Sequence, residues 1–133
     1  MEQVSSGAVV QHEDGSILLL HYIGGHWDFI KGKIDPGEDE LQTLHREAEE
    51  ETGIKDLKLI DGFRKEIDYW FHMKGQNIHK VVIFRAAKTK TKQIVLSDEH
   101  QGYEWVSFDE AMKRLTFENA RNILAASKEF LDL

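Results

Sequence analysis

The stretch Gly32–Ile54, GKIDPGEDELQTLHREAEEETGI, decides the reading of the whole chain. Its second half packs Arg46, Glu47, Glu49, Glu50 and Glu51 into six positions. On a helix, where residues follow at about 100°, Glu47, Glu50 and Glu51 stand at i, i+3 and i+4 and share one side. Leu41, Leu44 and Ala48 form an apolar stripe beside them. Such a helix docks on a core while holding three carboxylates at the rim of the contact. Like charges so spaced repel, and the arrangement calls for a cation. A hard divalent ion meets that need, Mg²⁺ above all, because it accepts carboxylates together with water and phosphate oxygens. The flanks delimit the helix. Asp35-Pro36-Gly37 is a turn, Asp39 with Gln42 is a capping-box start, and Thr52-Gly53 supplies the glycine stop.

Outward from this stretch, Ser6–Val10 and Ser16–Tyr22 read as strands joined at Asp14-Gly15. The run Ile17-Leu18-Leu19-Leu20 is apolar throughout and is expected to be buried on both faces. Gly24-Gly25 interrupts the chain, and Trp27-Asp28-Phe29-Ile30 leads into the helix loop. Residues 57–67, 68–73 and 78–86 read as three further strands, the last two turning at Lys74-Gly75. Gly102–Val106 alternates as a short strand, Ser107 with Glu110 caps a helix to about Leu115, and a last amphipathic helix covers about 118–131. The 133 residues are expected to form one α/β domain with a mixed sheet. A net charge of −7 speaks against a nucleic-acid duplex or an anionic membrane as partner. With no cysteine, thiolate metal sites are excluded. Neither a signal peptide nor a membrane-spanning run is legible, so a cytoplasmic protein is expected.

The stretch at residues 32–54 resembles the box of the Nudix hydrolases, Gly-x5-Glu-x7-Arg-Glu-U-x-Glu-Glu-x-Gly-U, where U is a bulky aliphatic. Gly32, Glu38, Arg46, Glu47, Glu50, Glu51 and Gly53 fill all seven fixed positions, and Ala48 is small where U is usually larger. At about 7% usage per residue type, such a match arises by chance at roughly 10⁻⁸ per starting position. The resemblance implies an α/β/α sandwich and attack by water on a phosphoanhydride of a substituted nucleoside diphosphate. That chemistry needs charge neutralisation, alignment and a proton acceptor. The resemblance implies Mg²⁺, with Mn²⁺ as the alternative, on Glu47, Glu50, Glu51 and the backbone carbonyl of Lys31. It implies that Arg46 pairs with a box carboxylate and that Glu38 braces the loop. The base is either Glu47 or Glu99, with His100 as a residue that could orient Glu99.

Beyond the box, Leu96-Ser97-Asp98-Glu99-His100-Gln101-Gly102-Tyr103-Glu104-Trp105 resembles a segment of the asymmetrical diadenosine tetraphosphate hydrolases, which cut that dinucleotide to ATP and AMP. The loop Lys31–Asp39 resembles theirs as well, although Ile30 stands where that subgroup usually has proline. The likeness implies that Tyr69 and Phe117 sandwich a base and that Lys31 and Lys80 reach the polyphosphate. The partner implied is a small nucleotide, and the protein a monomer or weak dimer. Two other functions compete. One is a Nudix pyrophosphohydrolase acting on RNA 5′-triphosphate ends or modified nucleoside triphosphates. The other is a nucleotide sensor that binds without cleaving, against which the retention of Glu47, Glu50 and Glu51 speaks.

Overall fold

The computed structural model describes residues 2–133. Its seven-stranded sheet is organised around β1 (Glu2–His12). β1 runs parallel to β6 (Gln76–Thr89), from Glu2 opposite His79 to His12 opposite Thr89. On its other edge it pairs antiparallel with β4 (Ile30–Lys33) and, at its far end, with β2 (Ile17–Tyr22). β2 in turn carries β3 (Trp27–Asp28) and β7 (His100–Val106), while β5 (Lys58–Met73) lies outside β6.

Alternation along the strands builds two cores, one on each face of this mixed sheet. Ala8, Val10, Leu18, Leu20 and Ile30 pack on Leu44 and Ala48 of α1 (Glu40–Thr52). Val9, Ile17, Leu19, Phe29 and Phe84 pack on the other side against α2 (Phe108–Arg114) and α3 (Glu118–Ser127) through Ala111, Ile123 and Leu124. The result is the α/β/α sandwich, and the unbroken run Ile17–Leu20 is buried on both faces, as its composition demands. Ala48 is fully buried. Its short side chain fills the helix–sheet contact while Leu41 stays only half-buried.

The ends of α1 form as their local chemistry requires. The Asp39 carboxylate accepts from the Gln42 N–H at 2.8 Å, and the Gln42 amide oxygen accepts from the Asp39 N–H at 2.9 Å. Gly53 closes the helix at φ 78°, a left-handed conformation that a side chain would disfavour, and donates its N–H to Glu49 O.

Some elements differ from the sequence reading. β5 is one strand of 16 residues, because its pairing with β6 runs unbroken through Ile67, Asp68 and Tyr69. Its register slips earlier, between Leu59 and Arg64. β1 and β6 run beyond the stretches read as strands, since each completes the other's hydrogen bonds. Ser107 accepts from the Glu110 N–H at 3.1 Å, but the Glu110 carboxylate turns to Arg114, leaving half of the expected capping box. α3 stops at Ser127, and a 3₁₀ turn at Lys128–Phe130 delivers Leu131 to the core. No helix among the described residues is long and apolar enough to cross a membrane.

Candidate active site and metal centre

The site forms where α1 crosses the free edge of β4. Gly32 of β4 faces the helix, and the Glu47 side chain lies directly over it. A methyl group on Gly32 would fall well inside 3.0 Å of Glu47 Cγ, Cδ and Oε1. Behind Glu47, one guanidinium holds the box together. Arg46 donates to Glu38 from Nε at 2.8 Å, to Glu47 from Nη1 at 2.8 Å and to Glu50 from Nη1 at 3.1 Å. Its Nη2 donates to Lys33 O and stands 3.3 Å from Asp35 Oδ2. The Arg46 guanidinium holds the Glu38 carboxyl down to about 2. Glu38 also accepts from the Asp35 N–H and the Thr43 hydroxyl, so it ties loop to helix, the bracing expected of it. Two of the three clustered carboxylates thus share one cation.

Glu51 has no such cation. It is buried, and both of its carboxylate oxygens lack a hydrogen-bond partner among the described residues. Burial first, and then the charges of Glu47 and Glu99, push its pKa well up. Facing it is His100, whose side chain is wholly buried and whose Nε2 lies 3.2 Å from Glu51 Oε1 without hydrogen-bonding alignment. Glu51, exposed Glu99 and His100 each bring a ligand atom within 4.8 Å of the others. Main-chain bonds hold the loop that carries the last two. Val95 N–H donates to Thr52 O and Ser97 N–H to Glu51 O, so residues 95–97 clip onto the C-terminal turn of α1.

On the opposite face of β4 the charge reverses. Alternation sends Lys31 and Lys33 to that face, where Lys80 of β6 joins them. Lys80 is buried, and its pKa is lowered to about 8 by that burial and then by the charges of Lys33 and Lys31. Lys31, Lys33, Lys80, Glu47 and Glu99 line one cavity of 340 Å³. Lys31 also borders a second cavity, of 440 Å³, lined by Tyr69, Phe117, Ile67, Phe84 and Asp28. Tyr69 stands directly opposite Lys80 in the β5–β6 pairing, and Phe117 caps α3 from across the opening. Buried Asp28 accepts from Lys31 Nζ at 3.1 Å and fixes the ammonium between the two cavities.

Of the residues singled out from the sequence, Lys31, Lys80, Glu47 and Glu99 therefore meet in one cavity, and Tyr69 and Phe117 in its neighbour. Glu51 sits beside Glu99. Glu50 is the outlying member, more than half exposed and turned to Arg46. His100 faces Glu51, with Nε2 3.2 Å from Glu51 Oε1, and also lies within the cluster that includes Glu99. Lys33 was not singled out, although its spacing of two from Lys31 on a strand puts both on one face.

The sequence matches the NUDIX domain family over residues 1–126. The chain is 42% identical over 120 residues to the rat protein named bis(5′-nucleosyl)-tetraphosphatase [asymmetrical], covering 86% of this chain and 79% of the relative. A Caenorhabditis elegans protein of the same name is 30% identical over 115 residues, covering 86% and 83%. The solved structure of a C. elegans Ap4A hydrolase binary complex superimposes with a TM-score of 0.82 at 29% identity, over 96% of each chain. With the box geometry in place and the match extending along nearly the whole chain, the protein belongs to the Nudix hydrolase family.

Proposed function

We propose that this Nudix hydrolase acts on dinucleoside polyphosphates, cutting diadenosine tetraphosphate asymmetrically to ATP and AMP with Mg²⁺, or Mn²⁺ as the alternative. The observation that carries this reading is the pair of cavities that share Lys31 in their walls. One is an aromatic slot lined by Tyr69 and Phe117, and the other brings Lys31, Lys33 and Lys80 together with the carboxylates of Glu47 and Glu99. Tyr69 and Phe117 stack a base, each contributing about 1–3 kcal/mol with tolerance of base identity. Lys31 and Lys80 bind the polyphosphate, since a lysine is a mobile point charge suited to a flexible chain. The relatives named as asymmetrical tetraphosphatases support the substrate class.

Nudix hydrolases use a divalent cation, and the donor set here fits one, because the buried Glu51 oxygens have no hydrogen-bond partner among the described residues. Glu47, Glu50, Glu51 and the Lys31 carbonyl would hold it, and it supplies charge neutralisation at the phosphoryl oxygens and a lowered pKa for water. Arg46 fixes Glu47 and Glu50. The proton acceptor is Glu47, which Arg46 holds rigidly, or Glu99, which stands exposed on the loop.

Incubation with diadenosine tetraphosphate and Mg²⁺ in ¹⁸O-labelled water tests the reading. ATP plus AMP, with the label in AMP, is the expected outcome and assigns the attack to the phosphorus that becomes AMP's. Two molecules of ADP would refute the asymmetrical assignment. Turnover only of triphosphorylated RNA or of a nucleoside triphosphate would keep the chemistry and replace the substrate. Glu47→Gln that still turns over would make Glu99 the base.

A further inference from the structure

Glu51 and His100 are an unusual pair to bury together. The Glu51 carboxylate is 3% exposed and the His100 ring 0%, and neither Glu51 oxygen nor His100 Nε2 has a hydrogen-bond partner among the described residues. A buried polar atom left unpaired costs about 1–3 kcal/mol, and two of these atoms, Glu51 Oε1 and His100 Nε2, face one another. Their spacing has a simple reading. Donors about 2.1 Å from one ion, at angles between 90° and 109°, stand about 3.0–3.4 Å apart. His100 Nε2 and Glu51 Oε1 are 3.2 Å apart. The other ring nitrogen lies 3.2 Å from Ser97 Oγ. A ligating imidazole commonly donates its second N–H to such an oxygen, which leaves the first lone pair for the ion. Tyr22 packs edge-on against the ring at 4.4 Å and limits its rotation. Glu99 completes a set whose ligand atoms lie within 4.8 Å of one another.

We propose that His100 Nε2 is a direct metal ligand, forming with Glu51 and Glu99 a nitrogen–oxygen position that takes Mn²⁺, Co²⁺ or Zn²⁺ in preference to Mg²⁺. This rests on the reading of the carboxylate cluster as a divalent-metal centre. Mg²⁺ takes oxygen ligands, whereas imidazole suits the later first-row cations, whose affinities rise from Mn²⁺ toward Cu²⁺. The arginine distribution agrees with such a position: Arg46 pairs with Glu47 and Glu50 and leaves Glu51 without a cation.

Two measurements that need no turnover test the proposal. In Mn²⁺-loaded wild-type protein, electron spin-echo modulation reports directly bound ¹⁴N, and imidazole coupling is expected. Titration calorimetry then compares Co²⁺ with Mg²⁺ in wild type and in His100→Gln, with thermal melting to confirm the fold. Gln retains an amide donor able to orient Glu51 but offers no imidazole nitrogen. The Co²⁺-to-Mg²⁺ affinity ratio is expected to fall about tenfold or more in the variant. Manganese bound without nitrogen coupling, or a ratio unchanged in His100→Gln, would overturn the ligand role while leaving the metal centre standing. Failure of wild type to bind any of these cations would overturn both.

Discussion

Gly32→Ala is the most discriminating perturbation of this site, because its effect is routed through one side chain. The Gly32 backbone imposes no need for glycine by its own conformation, since it is not among the residues with positive φ. What excludes a side chain is Glu47, whose Cγ, Cδ and Oε1 all occupy the space a methyl would take. The glutamate tip can swing away, so the fold survives with a loss no greater than the ~1–3 kcal/mol of an overpacked contact. The catalytic loss is larger. Clearing the methyl moves the carboxylate by about 1 Å, a displacement that costs about 10²-fold, and with Glu47 as the proton acceptor its complete loss costs up to about 10⁴-fold. In barrier height this is about 3–5 kcal/mol. The assay is kcat/KM for diadenosine tetraphosphate from coupled detection of released ATP, in a cycle with Glu47→Ala. If Gly32 acts through Glu47, the double variant is no worse than Glu47→Ala alone. Activity of Gly32→Ala within about threefold of wild type, or losses that multiply across the cycle, would refute the reasoning.

Three further outcomes follow from the geometry. Arg46→Lys should lower stability by about 2–3 kcal/mol in chemical denaturation, because an ammonium cannot replace a fork that serves Glu38, Glu47, Glu50 and Lys33 O at once. Lys80, whose pKa is lowered to about 8 by burial and by Lys33 and Lys31, is cationic below that pH and neutral above it. For a polyphosphate, kcat/KM should therefore decline as pH rises through about 8, and in Lys33→Gln the decline should move to higher pH; coincident pH profiles would refute the coupling. Tyr69→Ala and Phe117→Ala should each raise KM by roughly 5- to 150-fold with a smaller change in kcat, whereas Tyr69→Trp retains binding. An unchanged KM in both alanine variants would remove the base sandwich.

The parts of this architecture that could be read from the sequence are those specified within a few residues. Asp39 and Gln42 lie one turn apart, so their reciprocal cap needs nothing from the rest of the chain, and Gly53 stops the helix by its own conformation. The run Ile17–Leu20 announces burial on two faces because no polar residue interrupts it. Where partners are distant, the pattern is silent. The parallel pairing of β1 with β6 joins residues nearly eighty positions apart, and it extends both strands past what alternation alone suggests. Glu51 meets His100 only because α1 and the loop before β7 are docked together, and no spacing rule announces that encounter. Lys33 is different in kind: alternation on β4 places it with Lys31, and the signal was present but outweighed by the acidic residues that follow it.

The clip between residues 95–97 and the end of α1 uses main-chain atoms alone, from Val95 N to Thr52 O and from Ser97 N to Glu51 O. The exposed Val95 side chain can vary without disturbing it, whereas the Ser97 hydroxyl also meets His100 Nδ1. The site thus largely separates addressing from content: the backbone, with the Ser97 hydroxyl, sets where Glu99 and His100 arrive, and the residues carried set what they do. Lys92 is itself tied to β7 by the Trp105 indole N–H that donates to its carbonyl, so the length of chain between Lys92 and the clip is fixed at both ends, and one residue added between Ser97 and Glu99 shifts the whole arrival. Such a scaffold can acquire new chemistry by substitution on the loop while the helix supplying its carboxylates stays constant.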